Sequence, residues 1–172
     1  MGRLDWKRSG RFNANYETTE IMASLRGRQH EVGESVQYYR YSHTDPAGED
    51  LYDEATGQGK VYAGPYRIPT LHVIHSQGAA QDTPQGMYSV DNLSITASFD
   101  ALRKLGFTDQ DIEHDKYLTD RLVYDDAVFR VTSIAVLGQI QNRDIIVSIE
   151  AVQVKPDELV NDVQFAHWSQ PA

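Results

Sequence analysis

Histidines and carboxylates are the residues of this chain with the most chemistry to offer. In "HVIH", His72 and His75 stand three positions apart. On a helix that spacing shares one face and can hold a metal ion. On a strand it sends the two rings to opposite faces, and the neighbouring residues argue for a strand. In "DRLVYDDAVFRV", Asp125 and Asp126 sit between two apolar runs. A glycosidase-like pair needs two carboxylates converging from separate elements. Adjacent residues on one turn do not aim both carboxylates at one atom. Aspartate tolerates left-handed backbone and bonds its own main chain, so the pair suits a two-residue hairpin turn. Asp109 and Asp111 have the spacing of a ligand pair. No calcium-loop pattern follows them, and acids at a helix N-terminus explain them by the helix dipole.

Other catalytic patterns fail on inspection. No serine has a G-x-S-x-G context. "GQGK" is too short for a phosphate-binding loop, and Lys60 runs into Val61 instead of Ser or Thr. No glycine-rich dinucleotide fingerprint opens a helix. The chain has no cysteine, which removes thiol catalysis, disulfides and cysteine–zinc sites. These patterns predict a protein that is not an enzyme and needs no cofactor or metal. The alternative from that class is a small metal-dependent hydrolase in which His72, His75 and acidic neighbours converge.

The elements that must carry these residues follow from the rest of the sequence. At 172 residues the chain is long enough for one domain with a real core. Hydrophobic residues make up 40% and charged residues 24%, which fits a globular class. No apolar run approaches the length that spans a bilayer, so no membrane partner is expected. The basic start, "MGRLDWKRSGRF", has no apolar run after it and does not read as a secretory signal. Net charge is -9, and the basic residues concentrate early, at Arg3, Lys7, Arg8, Arg11, Arg26 and Arg28. An acidic chain is a poor candidate for tight phosphate binding.

Residues 1–16 lack periodicity and read as a flexible arm. "TTEIMASLRGRQ" is helix-like, with Thr18 or Thr19 as cap, Ile21, Met22 and Leu25 on one face, and Gly27 as the stop. "ESVQYYRYS" reads as a strand. Residues 43–66 are turn-rich and predict a long inserted loop, or a small hairpin with "LYD" and "KVY" as arms. "RIPTLHVIHSQ" and "MYSVDNLSITAS" read as strands, the second with Leu93, Ile95 and Ala97 on one face. "FDALRKLGF" predicts a short helix closed by Gly106, and Thr108 caps a further turn. "RLVYDDAVFRVTSIAVLG" and "IQNRDIIVSIEAVQV" give three more strands. Pro156 opens a helical turn in a C-terminal arm, residues 156–172. The pattern predicts a mainly β fold in one domain over 17–155. It is a small antiparallel β-barrel or sandwich with short peripheral helices and a long inserted loop.

Tyrosine is the unusual residue, with ten in the chain. Tyr38, Tyr39 and Tyr41 crowd one strand, and Tyr52, Tyr62 and Tyr66 crowd the long loop. Consecutive Tyr38 and Tyr39 must face both sides of their strand. Tyrosine suits places that are dry at one end and wet at the other, as at protein–protein interfaces. The competing reading is a core with hydrogen-bonded hydroxyls. Tyr38, Tyr39, Tyr41, Phe165 and Trp168 are the interface candidates.

"DRLVYDDAVFRVTSIAVLGQIQNRDIIVSIEAVQV" resembles the C-terminal β-region of head-completion proteins of long-tailed bacteriophages, the head-to-tail stopper group. Asp120, Arg121, Val123 and Tyr124 occupy a "D-R-hydrophobic-x-Tyr" strand, and Phe129 and Val131 the "aromatic-x-Val" strand after the turn. "LYDEATGQ" is similar to a "YD-x-x-TG" turn in such proteins. The resemblance covers roughly residues 34–165. It implies a β-barrel subunit that forms a homo-oligomeric ring in the virion neck, assembled in the host cytoplasm. The ring would sit between the portal–adaptor protein and the tail terminator or tail tube proteins. It would close the DNA exit channel, provide the tail attachment surface, and let double-stranded DNA pass without tight binding. A long loop would reach the channel. Here that loop is 43–66, with Tyr52, Asp53, Glu54, Lys60, Tyr62 and Tyr66 as candidates, and 77–86 is a second possibility. No catalytic residue is implied. A tail terminator, capping the tail tube, is the alternative within the same particle.

Overall fold

Strands form where side chains alternate between a dry and a wet face, and this chain does so repeatedly. The computed structural model describes residues 14–42, 61–78, 80–83, 86–113, 115–140, 143–159 and 162–168. The first element is helix α1, Ala14–Val32. Strands β1, Ser35–Tyr41, and β2, Tyr62–Ser76, follow. Next come β3, Ala80–Thr83, β4, Gly86–Ser89, and β5, Asn92–Ser98. Two short helices, α2, Phe99–Lys104, and α3, Asp109–Glu113, lead into β6, Arg121–Tyr124. The long hairpin arms are β7, Ala127–Ile140, and β8, Arg143–Gln153. Helix α4, Pro156–Leu159, and a 3₁₀ helix, Val163–Trp168, complete the described chain.

Six strands close into an antiparallel barrel in the order β1-β2-β5-β8-β7-β6, while β3 and β4 form a separate hairpin. The seam is β6 on β1, which pairs Gln37 with Val123, Tyr38 with Leu122 and Tyr39 with Arg121. Closure removes exposed sheet edges, and it needs strands that bend. Register shifts supply the bends, between Tyr38 and Arg40 on β1, Thr70 and His72 on β2, and Val131 and Ser133 on β7. Of the two expected architectures, the chain adopts the barrel.

The barrel interior is filled. Leu93, Ile95 and Ala97 of β5 stand opposite Ala151, Ile149 and Val147 of β8, and all six are buried. Val36, Tyr38, Ile68, Leu122, Phe129, Val131 and Ile134 complete the lining. Each large apolar side chain buried there contributes about 1.5–3 kcal/mol. Phe99 and Leu102 of α2, with Phe107 and Tyr117, join the same core. Helix α2 ends as expected, with Gly106 at φ 83 and its N–H on the Arg103 carbonyl at 3.0 Å. Helix α3 is held by a reciprocal cap. Asp111 N–H donates to Thr108 Oγ1 at 3.2 Å, and Thr108 N–H donates to Asp111 Oδ2 at 3.1 Å.

Four boundaries differ from the sequence reading. Helix α1 begins at Ala14, within the expected arm 1–16, so Thr18 and Thr19 lie inside it and do not cap it; the Thr19 hydroxyl donates to the Asn15 carbonyl at 2.7 Å. Helix α1 runs through Gly27, which is exposed and has nothing within 4 Å of a Cβ. A glycine there costs about 1 kcal/mol against alanine, too little to stop a helix that packs on β2. The stop is Gly33, at φ 66, whose N–H bonds the Gln29 carbonyl at 3.0 Å. Strand β2 begins at Tyr62, so Tyr62 and Tyr66 belong to the barrel wall, paired with Tyr41 and Tyr38, and not to the inserted loop. "MYSVDNLSITAS" splits into β4 and β5, because Asp91 turns the chain. Its Oδ1 accepts from Gly78 N–H at 2.9 Å. A Cβ at Gly78 would lie 1.9 Å from the Val90 carbonyl oxygen, so only glycine fits there.

Candidate interaction surfaces

Strand alternation decides what the tyrosines do. Tyr38 points into the barrel and is fully buried, its ring edge-on to Phe107 at 5.4 Å. Tyr39 points outward into a second buried cluster with Tyr62, Val123, Val128, Val154, Leu159 and Phe165. The Tyr39 and Tyr62 rings lie 4.9 and 5.2 Å from that of Phe165. The 3₁₀ helix thus lays Phe165 over the outer wall of β1, β2, β6 and β7. The interface expectation for Tyr38, Tyr39, Tyr62 and Phe165 is corrected accordingly. These side chains are covered within the subunit, because the C-terminal segment supplies the apolar cover the outer wall needs. Tyr41 is half-buried beside Tyr62, and Tyr66 is 37% exposed. The side chain of Trp168 lies outside the described residues, as do Tyr52, Asp53, Glu54 and Lys60.

The motif around Asp120 works as a latch between β6 and β1. Asp120 is buried, accepts from Tyr38 O–H at 2.5 Å through Oδ2, and accepts from Tyr41 N–H at 2.8 Å through Oδ1. Burial, then the Asp120 charge, holds the Tyr38 hydroxyl well above the usual phenol range. Arg121 is also buried and lies 5.7 Å over the Tyr62 ring. Tyr124 O–H donates to Glu34 Oε1 at 2.5 Å. That bond, then burial, pushes the phenol up to about 12. Asp120 and Tyr124, at the two ends of β6, thus bond to β1 and to the residue just before it.

Asp125 and Asp126 form the two-residue turn between β6 and β7, at φ 47 and 57. Both are exposed, with Tyr124 paired to Ala127 behind them. Two successive positive φ angles are the geometry of a type I′ hairpin turn.

The histidine geometry separates His72 from His75. His72 is exposed on β2 opposite Thr96. His75 Nε2 lies 3.0 Å from Asp91 Oδ2, and its ring meets Phe129 edge-on at 5.9 Å and Tyr124 at 6.5 Å. His75, Asp91, Tyr124 and Glu34 thus gather at one barrel mouth as two hydrogen-bonded pairs. Among the described residues, no group of three or more histidines and acids could hold a metal ion.

Ser42 N–H bonds the Val61 carbonyl at 3.0 Å, so the described chain on either side of residues 43–60 meets at one point. Residues 43–60 themselves lie outside the described residues. The far part of the β7–β8 hairpin carries Val136 and Leu137, which are 38% and 61% exposed. Beside it, a cleft of about 490 Å³ is lined by Asp109, Ile112 and Glu113 of α3 and by Val136, Leu137, Gly138, Gln139 and Asp144 of the hairpin. Burial, then the neighbouring Asp109 carboxylate, raises the Asp144 carboxyl above the usual range. Sequence reasoning placed no function on this hairpin. The signal was available in "IAVLG", where apolar residues run on without the alternation that buries only one face.

No family model matches the chain. No curated protein matches it. Among solved structures it is similar to a chain of the "Virion of native gene transfer agent (GTA) particle", with a TM-score of 0.41 and 10% identity, over 70% of this chain and 94% of that chain. A likeness of this size leaves the function to be reasoned from the chain's own residues.

Proposed function

We propose that the chain is a structural subunit of a bacteriophage-type virion neck, a head-to-tail stopper that forms a ring between portal–adaptor and tail. The observation that carries this reading is the packed barrel with its outward-going parts. Among the described residues the barrel interior is packed with apolar side chains, so this reading rests on the outer surface. The surface offers a hairpin bearing exposed Val136 and Leu137. An exposed pair of large aliphatic side chains on a two-stranded arm is suited to contact with a neighbouring subunit. Residues 43–60, with Tyr52, Asp53, Glu54 and Lys60, are the segment this reading assigns to the central channel. The acidic balance of the chain favours DNA that slides past without sticking. The closed barrel favours a stopper over a tail terminator, for which longer helices packed on an open sheet are expected.

The test is reconstitution. Heads that carry portal and adaptor but lack this chain are mixed with purified protein and tails, and joined particles are counted by electron microscopy. Joining that depends on the chain is the expected result. Tails that join equally well without it would remove the proposal.

A further inference from the structure

Among the described residues, three buried polar atoms have no hydrogen-bond partner, and all three can donate. They are Arg121 Nε, the Tyr62 hydroxyl and the Thr119 hydroxyl. Their residues form one group. Arg121 Nη1 donates to the Thr119 carbonyl at 3.4 Å, and the guanidinium carbon lies 5.7 Å from the Tyr62 ring centroid. Strand pairing brings them together, with Arg121 opposite Tyr39 on β1 and Tyr62 opposite Tyr41 further along the same strand.

Arg121 and Tyr62 are each 4% exposed. A guanidinium keeps its charge in a protein, so burying it is costly unless an anion answers it. Among the described residues no carboxylate oxygen lies within 4 Å of Arg121. Asp120, next in sequence, turns to the other face and commits its oxygens to Tyr38 O–H and Tyr41 N–H. Asp162 is buried near Tyr62 but stays outside that distance. The Tyr62 ring face offsets part of the charge and gives the N–H groups no acceptor. Burial holds the Tyr62 hydroxyl above the usual phenol range, so it remains a donor. A water molecule brings no charge. An oxyanion has acceptors for all three donors, and the guanidinium fork matches carboxylate and phosphate geometry.

We propose that Arg121, Tyr62 and Thr119 form a site for one oxyanion of the carboxylate or phosphate class. The site lies beside Tyr62, which the C-terminal 3₁₀ helix covers. The polar hold of that cover on Tyr62 is small. Exposed Gln164 accepts from the Tyr62 N–H and donates to the Tyr62 carbonyl, both at 3.3 Å. A bound anion ties the first residues of β6 to β2, and it does so whether or not the subunit belongs to a virion neck.

The test uses the full chain in sodium chloride, acetate and phosphate at one ionic strength. Urea midpoints are followed against anion concentration. The expected result is a saturable rise with acetate or phosphate, as for a ligand that binds only the folded state. A larger rise with acetate assigns a carboxylate, and a larger rise with phosphate assigns a phosphoryl group. Phosphate also strengthens folding in a general, unsaturated way, so Tyr62→Phe with Thr119→Val is measured beside the parent chain. This double variant keeps Arg121 and removes two donors. Its half-saturating concentration should be higher by about tenfold. Arg121→Gln, where folded, should lose the saturable part entirely. A response that never saturates, or that is equal in parent and double variant, would overturn the proposal. The three atoms would then be a flaw of packing, which a double variant more stable than the parent in chloride would also reveal.

Discussion

The Tyr38 hydroxyl donates to Asp120 Oδ2 at 2.5 Å across 82 positions of sequence, inside the barrel where β6 closes on β1. Asp120 uses its second oxygen on the Tyr41 N–H at 2.8 Å. The buried carboxylate is therefore satisfied by one side chain and one backbone group of the same strand. The seam has only three residue pairs on this side, so the latch is a large part of what holds it shut.

Tyr38→Phe removes the charge-assisted bond while keeping the ring against Phe107. The expected cost is about 1.5–3 kcal/mol, read from the midpoint of a urea transition. Asp120→Ala frees both the hydroxyl and the Tyr41 N–H and should cost more than Tyr38→Phe. The pH sign follows from the raised phenol. The folded hydroxyl keeps its proton, while the unfolded one ionises near pH 10. Its contribution is complete below pH 10 and declines as pH rises beyond it. Tyr38→Phe should flatten that alkaline decline.

At the acid end the reporter is Asp111. Its carboxyl is lowered from 3.8 to about 2, first by the Lys116 ammonium, which donates at 3.0 Å, and then by the Thr108 N–H and hydroxyl. A depressed folded value means stability that is complete above the unfolded value near 3.8 and lost as pH falls through about 2. Asp111→Asn should cost about 2 kcal/mol at pH 7 and make stability less sensitive to pH between 4 and 2. Thermal unfolding across that window checks it.

Phe165 is fully buried against Tyr39 and Tyr62. Phe165→Ala should cost about 3–5 kcal/mol, the range for emptying an aromatic site. It should also release the segment after Val154, which limited proteolysis would detect as early cleavage there.

Much of this architecture was legible because it is local. The β6–β7 turn, the Gly106 stop, the Thr108 cap and the alternating faces of β5 and β8 each rest on neighbours in sequence. What escaped depends on distance. Nothing near Tyr38 in sequence announces Asp120, and nothing near Tyr39 announces Phe165, so core and interface readings of those tyrosines could not be separated. Helix α1 passes Gly27 because packing outweighs a propensity cost of about 1 kcal/mol. The strand reading of "HVIH" separated His75 from His72 but could not supply its partner, Asp91, which the β2–β5 pairing brings in.

The turn offers a gain instead of a loss. Asp125 and Asp126 both hold positive φ, a region that glycine and asparagine enter more easily. Asp125→Asn with Asp126→Gly should stabilise the protein by about 1 kcal/mol. A rise in the denaturation midpoint with an unchanged slope checks it. An unchanged or lower midpoint would mean that the acidic side chains stabilise the hairpin in some other way.

The central claim is that the subunit acts through its surface as part of a ring in the neck of a virion. The most direct measurement is a cryo-electron microscopy map of intact particles, averaged around the head–tail axis. The predicted result is a ring of six-stranded barrels between portal–adaptor and tail, with the Leu137 hairpin of each subunit against a neighbour. A neck map fully accounted for by other chains, with these barrels elsewhere or missing, would contradict it.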